Sequence, residues 1–353
     1  MLLTHPGLVC PVGLQAAAAC AAFRAGIAAF AELPYVDNSG EPIVGSAVPS
    51  VPPGVKREDR LLFLLTAALK ECLASASFER TDSVPLLVGL AEKGRPGGGE
   101  SLTETLIPRV EKQLGRRFHP SLSRCVMQGH AAGIELLKLA REMLRDERTP
   151  ACIVAGADSY LNAATLAWLD RHGRLKRAGN SDGVIPGEAA AAMVAQRSND
   201  GQAPVAGIEV AGIGFGLEQA GVLQENPLLG LGLAAAAKEA LAEAGLGFHE
   251  IDFRLSDVSG ESYGFKEQVL MMGRLMRQRR PEIPLWHAAD SIGDTGAAAA
   301  LCHCIVAHSA WSKSYAPGQV GACFASSVPG ERGVVILRQF QRGEILSRQG
   351  APK

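Results

Sequence analysis

Excess charge is what this sequence lacks most. With 35 Lys and Arg against 36 Asp and Glu, its 353 residues carry a formal net charge of −1. Such a balance gives no basic footprint for nucleic acid. No block of like charge marks an interaction tail. Long apolar runs are missing as well. Residues 228–237 form one of the apolar runs, but it is too short and too rich in Ala and Gly to span a bilayer. The opening Met1-Leu2-Leu3-Thr4-His5-Pro6 has no basic region, and Pro6 interrupts it early, so no secretory signal is expected. The expected setting is cytoplasmic, with neither nucleic acid nor a membrane span.

What is present is a large apolar fraction, 47%, together with 40 glycines. That is enough chain for one large domain or two fused halves around a sizeable core. Eight cysteines, at 10, 20, 72, 125, 152, 302, 304 and 323, are scattered through mostly apolar surroundings. They read as reduced core thiols rather than a disulfide framework. Cys302-His303-Cys304 has metal-ligand chemistry but lies in a run that reads as a buried helix. Neighbouring helical residues point about 100° apart and do not converge on one ion. No metal and no cofactor is expected.

Periodicity predicts two βα-rich passes. In the first, residues 10–29, 57–76, 101–114 and 126–144 read as helices. Residues 84–90, 151–157 and 189–196 read as buried strands, with 38–55 and 92–100 as loops. The second pass restarts near Val205. Strands are predicted at 208–213, 253–257 and 285–288, and a terminal antiparallel pair at 318–325 and 333–339. Helices are predicted at 231–244, 263–277 and 296–309. The polar, Gly- and Pro-bearing residues 199–204 are the expected seam, giving halves 1–200 and 201–353.

Four ordered segments carry a family resemblance. Gly7-Leu8-Val9-Cys10-Pro11-Val12-Gly13 precedes a helix. Cys125 is followed by the small residues Gly129, Ala131, Ala132 and Gly133. Then come Ile153-Val154-Ala155-Gly156-Ala157-Asp158 and, after residues 166–173, Asn180 through Pro186-Gly187-Glu188. In this order they resemble the β-ketoacyl synthases of the thiolase superfamily. The resemblance implies a five-layered α/β/α/β/α fold of two pseudo-symmetric halves. It also implies a nucleophilic cysteine, here Cys125, at the start of a buried helix. There, unpaired N–H groups and the helix dipole would favour the thiolate.

The same resemblance marks departures. Where the family has its first histidine, the chain has Asp257-Val258-Ser259-Gly260. Asp294, in Asp290-Ser291-Ile292-Gly293-Asp294-Thr295, stands at the place of the family's second histidine or asparagine, and the family's lysine is absent. An ionised aspartate only accepts hydrogen bonds, and Ser259 is a poor acid or base near neutral pH. The family's Gly-rich turn is replaced by Ser326-Ser327-Val328-Pro329-Gly330-Glu331-Arg332, read as an ordinary surface hairpin turn. His287 is the best substitute base, and His130 is read as a structural helix residue about 140° around from Cys125.

The expected function is therefore a synthase homologue that keeps Cys125 but does not condense. It would serve as a binding, partner, adaptor or chaperone-like protein. The alternative is a Cys125-dependent acyltransferase or thioester hydrolase acting on acyl-ACP or acyl-CoA. Expected partners are a second copy or a related chain, joined through an apolar strand at 151–157 or a neighbour. An acyl carrier protein or another protein client is also expected.

Overall fold

The apolar runs at 84–90, 151–157 and 189–196 become neighbouring interior strands of a mixed sheet, because strands buried on both faces need apolar side chains at every position. In the computed structural model, residues 1–52, 54–76, 78, 81–198 and 207–340 are described. The strands are β1 (Leu2–Val9), β2 (Ala31–Val36), β3 (Pro42–Gly45), β4 (Leu86–Leu90), β5 (Arg124–Met127) and β6 (Ala151–Ser159). They continue with β7 (Glu188–Gln196), β8 (Gly207–Leu217), β9 (Phe253–Ser256), β10 (Leu285–Trp286), β11 (Val320–Ser326) and β12 (Glu331–Phe340). The helices are α1 (Ala16–Arg24), α2 (Arg57–Ala76), α3 (Leu102–Leu114), α4 (Ala132–Met143) and α5 (Ala163–Arg171). Then follow α6 (Leu231–Ala244), α7 (Ser262–Leu275), α8 (Ala289–Ile292) and α9 (Ala299–Ser312).

Ten strands hydrogen-bond in the order β10-β9-β11-β12-β8-β1-β7-β6-β4-β5. Outward from its centre, each wing runs in matching order: β1-β7-β6-β4-β5 on one side, β8-β12-β11-β9-β10 on the other. The wings meet through a short antiparallel contact, Leu2 with Glu209 and Leu3 with Ile208. Alternation along β6 sorts its side chains by face. Cys152 and Val154 pack into a cluster with α1, α4 and α9. Ala151, Ile153, Ala155 and Ala157 pack against α2 and α3. The first cluster also takes Leu255, Cys323 and Val335 from the other wing, so α4 and α9 lie between the two wings. The far face of that second wing is covered by α6 and α7. Helix and sheet layers thus alternate five deep.

Several expectations need correcting. Residues 2–9, ahead of the helix expected from residue 10, form β1; it bulges between Thr4 and Gly7, beside a left-handed His5 (φ 52) and Pro6. The first helix is shorter than 10–29, since the Pro11-Val12-Gly13 turn delays it to Ala16. The stretch read as loop at 38–55 contains β3, which pairs with β2. Residues 126–144 are not one helix. Arg124, Cys125, Val126 and Met127 pair in parallel with Leu87, Val88, Gly89 and Leu90 of β4, and α4 begins only at Ala132. Strand β6 is flanked by β4 and β7, so it is not an edge; β5 and β10 are the outer strands. The expected seam at 199–204 lies outside the described residues. Among the described residues, no helix is long and apolar enough to cross a membrane.

Candidate functional site

Two central helices start from matching turns. A 3-10 turn at Gly129–Ala131 leads into α4, and another at Gly296–Ala298 leads into α9. Both glycines are left-handed, with φ of 55° and 49°. Both also lack room for a side chain: a Cβ would lie 2.5 Å from Glu92 Oε2 at Gly129 and 2.1 Å from Asp158 Oδ2 at Gly296. Only glycine satisfies both demands. The two turns pack together and bring residues far apart in sequence to one point.

Asp294 is at that point. Its backbone is fixed from both sides. Its N–H donates to Ile185 O at 2.8 Å, and its carbonyl accepts from Gly187 N–H at 2.9 Å. Its carboxylate accepts three hydrogen bonds. Oδ1 takes His130 Nε2 at 2.8 Å and Gly296 N–H at 2.9 Å, and Oδ2 takes the Ser259 hydroxyl at 3.1 Å. Burial alone would raise this carboxyl, but the adjacent His130 charge and these bonds hold it down at about 2. Burial would likewise lower His130; Asp294, helped by Asp257 and Glu92, holds it up at about 9. The pair is therefore an imidazolium–carboxylate ion pair at neutral pH. His130 Nδ1 has no partner among the described residues.

The β11–β12 turn closes over this pair. Ser327 Oγ accepts from Ala131 N–H at 2.9 Å and donates to Gln128 O. Arg332 donates to Glu267 Oε1 at 2.7 Å, to Ser327 O at 2.8 Å and to the Tyr263 hydroxyl at 2.8 Å. The turn is therefore not the ordinary surface hairpin that its sequence suggests, since Ser327 and Arg332 are buried. Arg332 is 1% exposed, because a charge already matched by Glu267 can be buried. What remains open is a cleft of about 50 Å³, lined by His130, Asp257, Ser259, Asp294, Ser327 and Arg332, among others. Since one water needs roughly 10–15 Å³ by the same kind of measure, the cleft has room for a few waters and not for an acyl chain.

Cys125 is not in this cleft. It sits on β5, half-buried against the α2/α3 side of the sheet. Burial pushes its thiol up to about 12, and among the described residues no cation opposes the shift. The helix start that the resemblance assigns to the nucleophile is occupied by Gly129-His130 instead. Ser259 and Asp294 are brought together. His287 is not: it lies near Asp290, 3.5 Å away, and lines a different cavity. One continuous helix over 126–144 would turn His130 away from the site; the strand at Arg124–Met127 and the turn at Gly129–Ala131 put it at the helix start instead. The Gly129-His130-Ala131-Ala132-Gly133 run of small residues was the signal for where the helix really starts.

As chemistry, the arrangement is a closed ion pair. Ser259 gives its hydrogen bond to the carboxylate and not to the imidazole, so it has no base of useful strength. His130, already protonated at neutral pH, is no base either. Among the described residues no cluster of three or more His, Cys, Asp or Glu side chains is arranged to hold a metal ion.

No protein-family model matches the chain, and no curated protein matches it by sequence. Solved structures do match. An oxazolomycin ketosynthase domain from Streptomyces albus superposes with a TM-score of 0.77 at 17% identity, covering 96% of this chain and 75% of that one. The ishigamide ketosynthase/chain length factor gives 0.71 at 19% identity, over 96% and 99%. A type II polyketide-synthase acyl-carrier protein in complex with its ketosynthase gives 0.79 at 15% identity, over 96% and 99%. With central helices that start from paired glycine turns between two matching wings, this chain has the thiolase-like fold of the ketosynthases.

Proposed function

We propose that this chain is a non-condensing member of the ketosynthase fold and acts as a partner subunit. One observation carries the reading: the start of the central helix presents His130, neutralised by Asp294, in a cleft of about 50 Å³. Decarboxylative condensation needs a thiolate, donors for an enolate oxygen and room for an acyl thioester. The helix start offers no thiol, the carboxylate faces the site as an acceptor, and the β11–β12 residues Ser327, Val328 and Arg332 line a narrow cleft. Losing one acid–base group lowers a rate by roughly two to four orders of magnitude, and here several change together. The thiol-only alternative is weakened by the position of Cys125 on β5 and by its raised pKa.

The partner role rests on the sheet edge. Strand β5 leaves one ladder of N–H and C=O groups unpaired, and soluble proteins cover or pair such edges. The solved neighbours include a ketosynthase/chain length factor and a ketosynthase with its acyl-carrier protein. A second copy or a related chain pairing at β5, with a carrier protein as client, fits both observations. Purified protein offered acyl- and malonyl-carrier thioesters should release no carbon dioxide and show no acyl adduct by intact mass. Steady turnover that disappears in Cys125→Ala overturns the proposal. Light scattering should give about twice the 37.0 kDa chain mass; a stable monomer alone and beside a related ketosynthase chain overturns the partner role.

A further inference from the structure

The outer face of the second wing is formed by α6 and α7, in the other wing from β5. Between the two helices runs an open groove of about 630 Å³. Ala234, Ala235 and Lys238 of α6 line one wall; Arg274, Leu275 and Arg277, at and just beyond the end of α7, line the other.

Charge is sorted sharply here. Every carboxylate on the two helices is committed elsewhere. Glu239 accepts from Phe215 N–H at 2.7 Å; Glu243 accepts from Ile213 N–H at 2.7 Å and pairs with Arg141. Glu267 is buried against Arg332. The cations are uncommitted. Lys238, Arg274 and Arg277 are exposed and form no ion pair among the described residues. Arg274 donates to the Leu229 carbonyl at 3.1 Å, which fixes its place and leaves its charge unmatched. The chain then continues as Arg277-Gln278-Arg279-Arg280, with no carboxylate.

Apolar surface adjoins the basic end. Leu217, Leu229, Leu231 and Val269 are between 49% and 68% exposed. They meet at the start of α6. A Cβ on Gly230 would lie 2.9 Å from Leu270 Cβ of α7, and one on Gly232 would lie 2.6 Å from the Leu217 carbonyl carbon. Leu231, Ala235 and Lys238 share one face of α6, spaced by four and three residues. On α7, Val269 is followed four residues later by Gly273, where a Cβ would meet nothing within 4 Å, and then by Arg277. Both walls therefore run in the same sense from apolar to basic, over about 10 Å from Leu231 to Lys238. Contiguous exposed apolar surface rimmed by charge marks an interaction site.

We propose that this groove docks a helix of a partner protein, apolar on its first turn and acidic along one face of the next two. The apolar turn covers Leu229, Leu231 and Val269, and the carboxylates meet Lys238, Arg274 and Arg277. A rod about 10 Å across can lie between two helices, which a flat anionic membrane cannot do. The docking does not depend on what pairs at β5.

Fluorescence anisotropy tests this with the whole protein and a stapled helical peptide that has leucines on its first turn and glutamates on one face of the next two. The peptide should bind saturably, one to one. Its counterpart with glutamine for every glutamate, and a scrambled peptide of the same composition, should each bind about tenfold more weakly. Lys238→Glu combined with Arg277→Glu should weaken the glutamate peptide about tenfold and strengthen a lysine counterpart, while the mass by light scattering stays that of the native protein. Ala235→Trp, at an exposed position, fills the groove and should abolish binding. No saturable binding of the glutamate peptide overturns the proposal, as does equal binding of the scrambled peptide or binding that survives Ala235→Trp. Sedimentation with phosphatidylglycerol vesicles that is lost in the double variant overturns it in favour of an anionic membrane.

Discussion

Asp294 accepts from an imidazolium, a backbone N–H and a hydroxyl within one buried point. Replacing it with Asn removes the charge while keeping the shape, which leaves His130 to the effect of burial. In Asp294→Asn, His130 should titrate well below the about 9 of the native pair, as read from its ring-proton NMR shifts. The variant should lose about 3–5 kcal/mol in urea unfolding, because one member of a buried pair is left alone. The native pair also sets a pH dependence. His130 is raised from 6.5 to about 9, so its contribution is complete below 6.5 and is lost as pH rises through 9. His303 and His308, lowered from 6.5 to about 3 and about 4, work on the other side. They are buried neutral, so their contribution is complete above 6.5 and declines as acid protonates the unfolded chain first. These three groups place maximum stability near pH 6.5. Denaturant melts across pH 4–10 check it, and Asp294→Asn should flatten the alkaline limb.

At the scale of elements, the decisive placement is the division of residues 124–143 between β5 and α4. Hydrophobic periodicity alone runs through both. The parallel pairing of Arg124 through Met127 with β4 is made by residues about 37 positions away, as Leu87 with Arg124 shows. A local reading therefore sees one apolar run where the sheet edge cuts it in two. The β11–β12 turn shows the same thing from the other direction. Gly330 and Pro329 do mark a turn, but Arg332 is drawn inward by Glu267 on α7. Arg332→Leu should leave Glu267 buried without its cation and cost about 3–5 kcal/mol. The double variant Arg332→Leu with Glu267→Leu should recover much of that loss, measured as a double-mutant cycle of unfolding free energies.

For the whole molecule, the α1/α4/α9 layer takes side chains from both wings of the sheet. Neither wing can bury its inner face without the other. Calorimetry should therefore record one unfolding transition for the intact chain, whereas a fragment ending at residue 198 should show no cooperative transition. Two separated transitions would mean that the wings are stable apart. The sequence by itself determined the buried strands, read at 84–90, 151–157 and 189–196, the helices at 57–76 and 231–244, and the ordered motifs of the fold. Each is written in a short window, as an unbroken apolar run, a helical period or a glycine turn. Ser259 and Asp294 were legible as altered positions for the same reason. Tertiary structure alone decided that His130 meets Asp294 across 164 positions, that Cys125 belongs to an edge strand, and that Arg332 is buried. Ion pairs and strand pairing between distant segments leave no local period, and burial then fixes their charge states.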